Sequence, residues 1–217
     1  NESSHAAKLD EVESVLRPLL KREGFRCTNR NCRRESEPGL IQILNFQLGQ
    51  SGSSLSDSFT LNLGIYLEEV HELLHAGNHP PKSISEPDCE FRARLLTLLP
   101  SGTDRWLKLD ASPECVAQEV SEALTSIGFP ILRRYLTRNS ILSEWRQRDG
   151  AAIRWIGRAE AAVGILLARR GETQEATNVF QRWFDGGNPV ARPFVNRVDR
   201  KSTRLNSSHV ALSRMPS

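Results

Sequence analysis

The sequence predicts an α+β fold, with a mainly antiparallel sheet of about four or five strands covered by helices and followed by a C-terminal helical hairpin. Three observations predict it. Apolar residues recur at helical spacing near the N-terminus, the apolar period changes to two between residues 40 and 67, and the composition shifts to alanine and arginine beyond Gly150. A chain of 217 residues is long enough to bury one good core without a disulfide or a metal. The expected organisation is an α+β domain over residues 1–148, a helical hairpin over 150–186 and a disordered tail over 187–217.

The first element follows from Leu9, Val12, Val15, Leu16, Leu19 and Leu20, which make one apolar stripe on a helix from about Ala6 to Glu23. Gly24 is its natural stop. Pro18 removes a backbone donor inside that stretch, so a kink or early break is expected there. The alternation Phe59, Leu61, Leu63, Ile65, Leu67 marks a strand with one buried face. Leu40–Leu48 is apolar on both faces, which suits a central strand, and the GQSGSSLSD segment between them supplies a hairpin connection. Residues 25–34, 90–98 and 105–109 are weaker strand candidates.

Ser112, Pro113 and Glu114 read as N-cap, first-turn proline and early acid of a helix that runs through Val116, Val120, Leu124 and Ile127 and stops at Gly128. A further helical stretch covers residues 131–145, with a break near Ser140. Beyond Gly150 one helix is expected over residues 151–170 and a second over 172–184, turning at Gly171. The fragment LLARRGETQEATNVF looks like half of a tetratricopeptide repeat. Such repeats need about three copies for stability, so two helices packed as a hairpin are the simpler reading.

The formal charge is +3, but its distribution matters more than its sum. Residues 199–217 hold four basic residues and one acid, which leaves the remainder of the chain balanced. That tail is rich in serine and lacks an apolar period, so it reads as disordered. Its run KSTRLNSSHV is similar to translated adapter sequence that contaminates some assembled reading frames. A nucleic-acid partner is therefore not favoured. No apolar run approaches the roughly 20 residues of a membrane helix, and residues 1–8 lack the pattern of a signal peptide. A soluble protein of the cytoplasm is expected, with Cys27, Cys32, Cys89 and Cys115 as reduced structural thiols.

The order of LRPLLKREGF, ILNFQLGQS, FTLNLGIYL, DCEFRARL, DRWLKL and GFPIL along the chain resembles the bacterial family of the domain of unknown function 4304. The resemblance covers about Leu9 to Trp145 and leaves out the hairpin after Gly150. It implies an α+β fold and brings no activity, cofactor or catalytic residue with it.

The sharpest chemical motif is His71-Glu72-Leu73-Leu74-His75, an H-E-x-x-H. On a helix, histidines four apart share a face and bind one zinc, and the glutamate between them activates the bound water. A third ligand would come from His79, or from Glu86, Asp88 or Glu90. The surroundings argue against a zinc peptidase, because acidic Glu68 and Glu69 lead into the motif, and Asn78 and Pro81 stand where the extended pattern needs glycine and histidine. A chance match on an exposed helical turn is the plainer reading, and zinc is kept as the alternative cofactor to none. Cys27 and Cys32 bracket TNRN, but residues five apart on a regular strand point to opposite faces. No G-x-S-x-G and no G-x-x-x-x-G-K-[ST] is present. The basic residues Arg26, Arg30, Arg33 and Arg34 are diluted by Glu35 and Glu37, and read as a solvated face.

Asn45, Gln47 and Asn62 fall where the alternating period places buried or sheet-face residues, and Arg92, Arg94 and Trp106 are near them in sequence order. If they share one face, they form a polar recognition surface with an aromatic anchor. The plain alternative is that the amides satisfy sheet edges and the arginines lie over apolar surface. The functional expectation is a non-catalytic binding or interaction domain with a protein or small-molecule partner and no membrane association, drawing also on surface tryptophans Trp106, Trp145, Trp155 and Trp183. A zinc hydrolase and a toxin-immunity-like role are the alternatives.

Overall fold

The computed structural model describes residues 2–75, 81–147 and 155–185, beginning with α1 (Glu2–Arg22). Leu9, Val12, Leu16 and Leu20 form its buried stripe, whereas Val15 lies outside it and is exposed. The helix runs unbroken through Pro18. The carbonyl that loses its donor there belongs to Ser14, and both residues lie on the exposed side of the helix, where water replaces the missing bond. Gly24, at φ 84°, ends α1 with the Gly24 and Phe25 amides donating back to Lys21 and Leu20.

Among the described residues seven strands follow, all paired antiparallel: β1 (Arg26–Thr28), β2 (Asn31–Glu37), β3 (Leu40–Leu48), β4 (Ser58–Leu67), β5 (Phe91–Arg94), β6 (Leu107–Lys108) and β7 (Ile156–Gly157). The order across the sheet is β1-β2-β3-β4-β5-β7, and β6 pairs with the start of β4. The α+β class is as expected. The strands beyond the expected number are pieces of two or three residues, too short to show a period. Residues 25–34 are not one strand but part of a hairpin whose turn, Asn29-Arg30, has positive φ at both positions, the geometry of the tight turns that join twisted strands.

That turn corrects the reading of the cysteines. It sets Cys27 directly opposite Cys32, and the two are joined as a disulfide, because a reversal between them replaces the continuous strand that would have put them on opposite faces. Cys89 and Cys115 remain free, the first buried and the second exposed.

The register defines two faces. Gln42, Leu44 and Phe46 of β3, with Leu61, Leu63 and Ile65 of β4 and Phe91 and Ala93 of β5, share the face that carries the helices. On that side lie α1 and α3 (Pro113–Ala123), which pack on one another, and α4 (Phe129–Arg133). Gln42 ties the two layers. Its amide nitrogen donates to the carbonyls of Leu132 (2.7 Å) and Tyr135 (3.0 Å) at the end of α4, and its oxygen accepts from Arg34.

Contrary to expectation, the helix opened by Ser112 does not stop at Gly128. It passes through a π turn (Leu124–Gly128) into α4, and the wider turn accommodates Pro130, which cannot donate. Gly128 serves close packing instead, since a Cβ there would lie 3.0 Å from the Leu95 side chain. The break expected near Ser140 falls earlier, at Thr137, which caps α5 (Arg138–Arg146) in reciprocal bonds with Ser140.

The opposite face holds Ile41, Ile43, Asn45 and Gln47 of β3, Asn62, Gly64 and Tyr66 of β4, and Arg92 and Arg94 of β5. One end of it lies under the segment 84–89, where Cys89 and Ile84 pack on Ile43 and Tyr66. Gly64 permits this, because a Cβ there would sit 2.6 Å from the Cys89 sulfur.

The chain divides into two compact units, 1–162 and 163–217. Residues 155–158 depart from the helix expected over 151–170. Ile156 and Gly157 form β7, and α6 begins only at Ala159 and runs to Arg169. In the second unit the chain turns at Gly171 (φ 79°) into α7 (Thr173–Asp185). There Gly164 lets the Phe180 ring approach the backbone of α6. The tail, including the adapter-like run, lies outside the described residues. No described helix is long and apolar enough to cross a membrane.

Candidate functional site

Two polar clusters lie on the sheet face away from the helices. The first is built by register alone. Asn31, Asn45, Asn62 and Arg94 occupy successive strands at mutually paired positions, so their side chains stand in a row across the sheet. Asn45 donates to Asn31 (3.1 Å), and Asn62 donates to Asn45 (3.3 Å) and to Gln47 (2.8 Å). The row ends at Arg94, which forms an ion pair with Asp104 and lies over the Trp106 ring, 5.3 Å from its centre.

Asn45, Gln47, Asn62, Arg92 and Arg94 therefore share one face, with Trp106 beside Arg94. Arg92 differs from the others in its use. It is held by both oxygens of buried Glu86, which fixes the covering segment rather than facing solvent. Gln47 is exposed, while Asn45, Arg94 and Trp106 are half-buried and Asn62 is buried. The Gln47 amide nitrogen has no partner among the described residues. Asn31 was missed from sequence, because nothing in a run of polar residues indicates which one will oppose Asn45.

The second cluster surrounds His71. Helix α2 (Glu68–Leu74) follows β4 directly and is two turns long, with His75 at its C-terminal end. The exposed turn expected for this motif is not what forms: His71 is 6% exposed and lies against the ring of Tyr66, with His75 stacked on it at 4.4 Å between ring centres. Arg158, delivered by β7, sits 2.7 Å from Nε2 of His75, and its backbone amide donates to the carbonyl of Glu90. Burial, and then the nearby Arg158, lower the pKa of both histidines, so both are held neutral.

Glu90 is fully buried, and one of its oxygens accepts from the Leu67 amide (2.8 Å). Burial pushes its pKa up to about 8, so it is protonated at neutral pH. Tyr66 is pushed up to about 12 by burial and then by Glu90. Three buried polar atoms here, the Tyr66 hydroxyl, His71 Nδ1 and Glu90 Oε1, have no hydrogen-bond partner among the described residues.

Among the described residues, the donor set of a zinc hydrolase is not completed. Among the described residues, no group of three His, Cys, Asp or Glu ligands includes His71 or His75. The nearest charge to His75 Nε2 is a guanidinium, which a metal cation would have to displace. Glu72 is exposed, and His79 lies outside the described residues.

The tryptophans and arginines also find structural work. Trp183 is buried, and Trp155 packs edge-on against Phe91 and Tyr135 and donates to the Tyr135 hydroxyl. Arg30 reaches Asp10 and the Ala6 carbonyl, Arg33 reaches Ser83 and the Ile84 carbonyl, and Arg34 lies over Phe25. The basic run is thus largely a set of tethers between the first hairpin and its neighbours.

No curated protein and no solved structure matches the chain. A family model does match, over residues 16–134, a span that takes in β1 to β6, α3, α4 and the whole amide row. The chain belongs to the family of the domain of unknown function DUF4304.

Proposed function

We propose that this chain is a non-catalytic binding domain that engages a protein partner through Asn45, Gln47, Asn62 and Arg94, with Trp106 as the anchor. The observation that carries the reading is the connected amide row ending in an arginine stacked on a half-exposed tryptophan. Amides both donate and accept, so a row of them suits the uncharged hydrogen-bonding groups of a polypeptide. Mutual bonds hold the row in place before binding, which lowers the entropy lost on association. Tryptophan and arginine are the residue types that most often dominate such interfaces. Arg92 and Arg94 are already paired with carboxylates, and Arg33 on the same face is tied to Ser83 and the Ile84 carbonyl, which favours a protein over a polyanionic nucleic acid.

The test is recovery of partners from a native lysate by immobilised wild-type protein, beside Gln47→Ala and Trp106→Ala variants checked for folding by circular dichroism. The expected result is a partner whose affinity falls at least tenfold with Trp106→Ala, and whose addition shifts the side-chain amide signals of Asn45, Gln47 and Asn62. A partner held equally by all three proteins, with those signals unmoved, would remove this face from consideration.

A further inference from the structure

We infer that Cys27, Cys32 and Glu13 form a redox-gated site for a zinc-class divalent cation, closed while the two sulfurs are bonded to each other and open once they are reduced. Three observations place the donors. The Asn29-Arg30 turn puts the two cysteines opposite one another in the β1–β2 hairpin, with Cα atoms 3.9 Å apart. Cys32 is paired with Leu44, so both sulfurs face the helical side of the sheet. From that side α1 contributes Glu13, a carboxylate only 3% exposed. One carboxylate oxygen of Glu13 and the two sulfurs all lie within 4.8 Å of one another.

A buried acid on the apolar stripe of α1 is anomalous, since a carboxylate there loses hydration and needs a compensating cation. The compensation present is slight: Arg17, itself largely exposed, reaches Glu13 at 3.4 Å. A metal held by two thiolates would supply it far better. The spacing of the cysteines, with four residues between them, is one that structural zinc sites use. Tetrahedral coordination with metal–sulfur bonds of roughly 2.3 Å puts the two sulfurs about 3.8 Å apart, a separation that directly opposed cysteines reach by rotating their side chains. From within 4.8 Å of both sulfurs, the carboxylate then needs to close by at most about 1.3 Å. A groove of about 510 Å³ lined by Asp10, Glu13, Arg17, Asn29 and Arg30 opens beside the Glu13 carboxylate. Sequence spacing alone hid this site, because Glu13 joins the cysteines only when α1 packs on the hairpin.

The gating step balances with a named reductant. A phosphine attacks one sulfur, the S–S bond breaks, water supplies the oxygen of the phosphine oxide, and its two protons leave both cysteines as thiols. Binding of the divalent ion then releases those two protons to solvent.

The test uses the full chain, reduced with a water-soluble phosphine, freed of it under nitrogen and titrated with Co²⁺ and then Zn²⁺. One Co²⁺ per chain with thiolate charge-transfer absorption is expected, displaced by Zn²⁺. The oxidised protein is expected to bind none, and Glu13→Gln to bind at least tenfold more weakly. In the reduced wild type, Zn²⁺ is expected to protect Cys27 and Cys32 from alkylation while Cys115, which is exposed, reacts freely. That measurement needs no variant to fold. Absence of stoichiometric metal in the reduced protein, unprotected Cys27 and Cys32, or equal binding by a Cys27→Ser, Cys32→Ser variant would each overturn the proposal. Unchanged affinity in Glu13→Gln would overturn the three-donor site.

Discussion

Glu90 is a carboxyl group with nowhere to put its charge. It is fully buried, and its pKa is raised to about 8 by loss of hydration. A carboxyl that is protonated when folded and ionised when unfolded makes the folded state less stable as pH rises between the two pKa values. Stability is therefore expected to fall from about pH 4.5 to about pH 8, by on the order of a few kcal/mol. Glu90→Gln keeps an acceptor for the Leu67 amide and carries no titrating group. Urea unfolding at a series of pH values is expected to show the variant gaining on the wild type as pH rises through this window. Parallel pH profiles would mean that Glu90 is not held neutral.

Single contacts become decisive where an element is short. Helix α5 has nine residues, too few to be stable alone, and it depends on its ends. Thr137 and Ser140 satisfy each other's backbone amides at its start, and Arg138 reaches Glu37, the Pro38 carbonyl and buried Glu69. Thr137→Ala is expected to cost about 1 kcal/mol, read as a lower urea midpoint with an unchanged denaturant slope. A midpoint indistinguishable from wild type would show that the Arg138 pairs alone position the helix. Element identity was legible where an apolar period ran long, as in α1, β3, β4 and α3. It was not legible for β6 and β7, because two residues cannot display a period, and their pairing is dictated by neighbours distant in sequence.

In the first unit, the layers are joined by a polar contact inside an apolar interface. Gln42 uses both donors and its acceptor oxygen to hold the end of α4 and Arg34. Gln42→Leu preserves volume and leaves two carbonyls and a guanidinium without that partner. Each unsatisfied buried group costs roughly 1–3 kcal/mol, so the expected loss is about 3 kcal/mol. At roughly 2–4 °C per kcal/mol for a chain of this size, the melting temperature falls by about 6–12 °C. A variant as stable as wild type would show that water replaces the amide. The binding face offers a contrast at the same scale: Gln47 and Trp106 lie at solvent, and their substitution is expected to spare the fold.

The sequence by itself determined the α+β class, the long elements, and Asn45, Gln47 and Asn62 as polar positions within strands. These follow from periodicity and composition, which are local properties of the chain. Only the tertiary structure decided that the amides are bonded in a row, that Asn31 completes it, that Arg92 is spent on Glu86, and that buried His71 and half-buried His75 stack near Arg158 without a third ligand among the described residues. It also decided that Cys27 meets Cys32 beneath Glu13. Register, turn geometry and helix packing are relations between segments far apart along the chain. A periodic pattern states which face a side chain takes, and it is silent on what waits there.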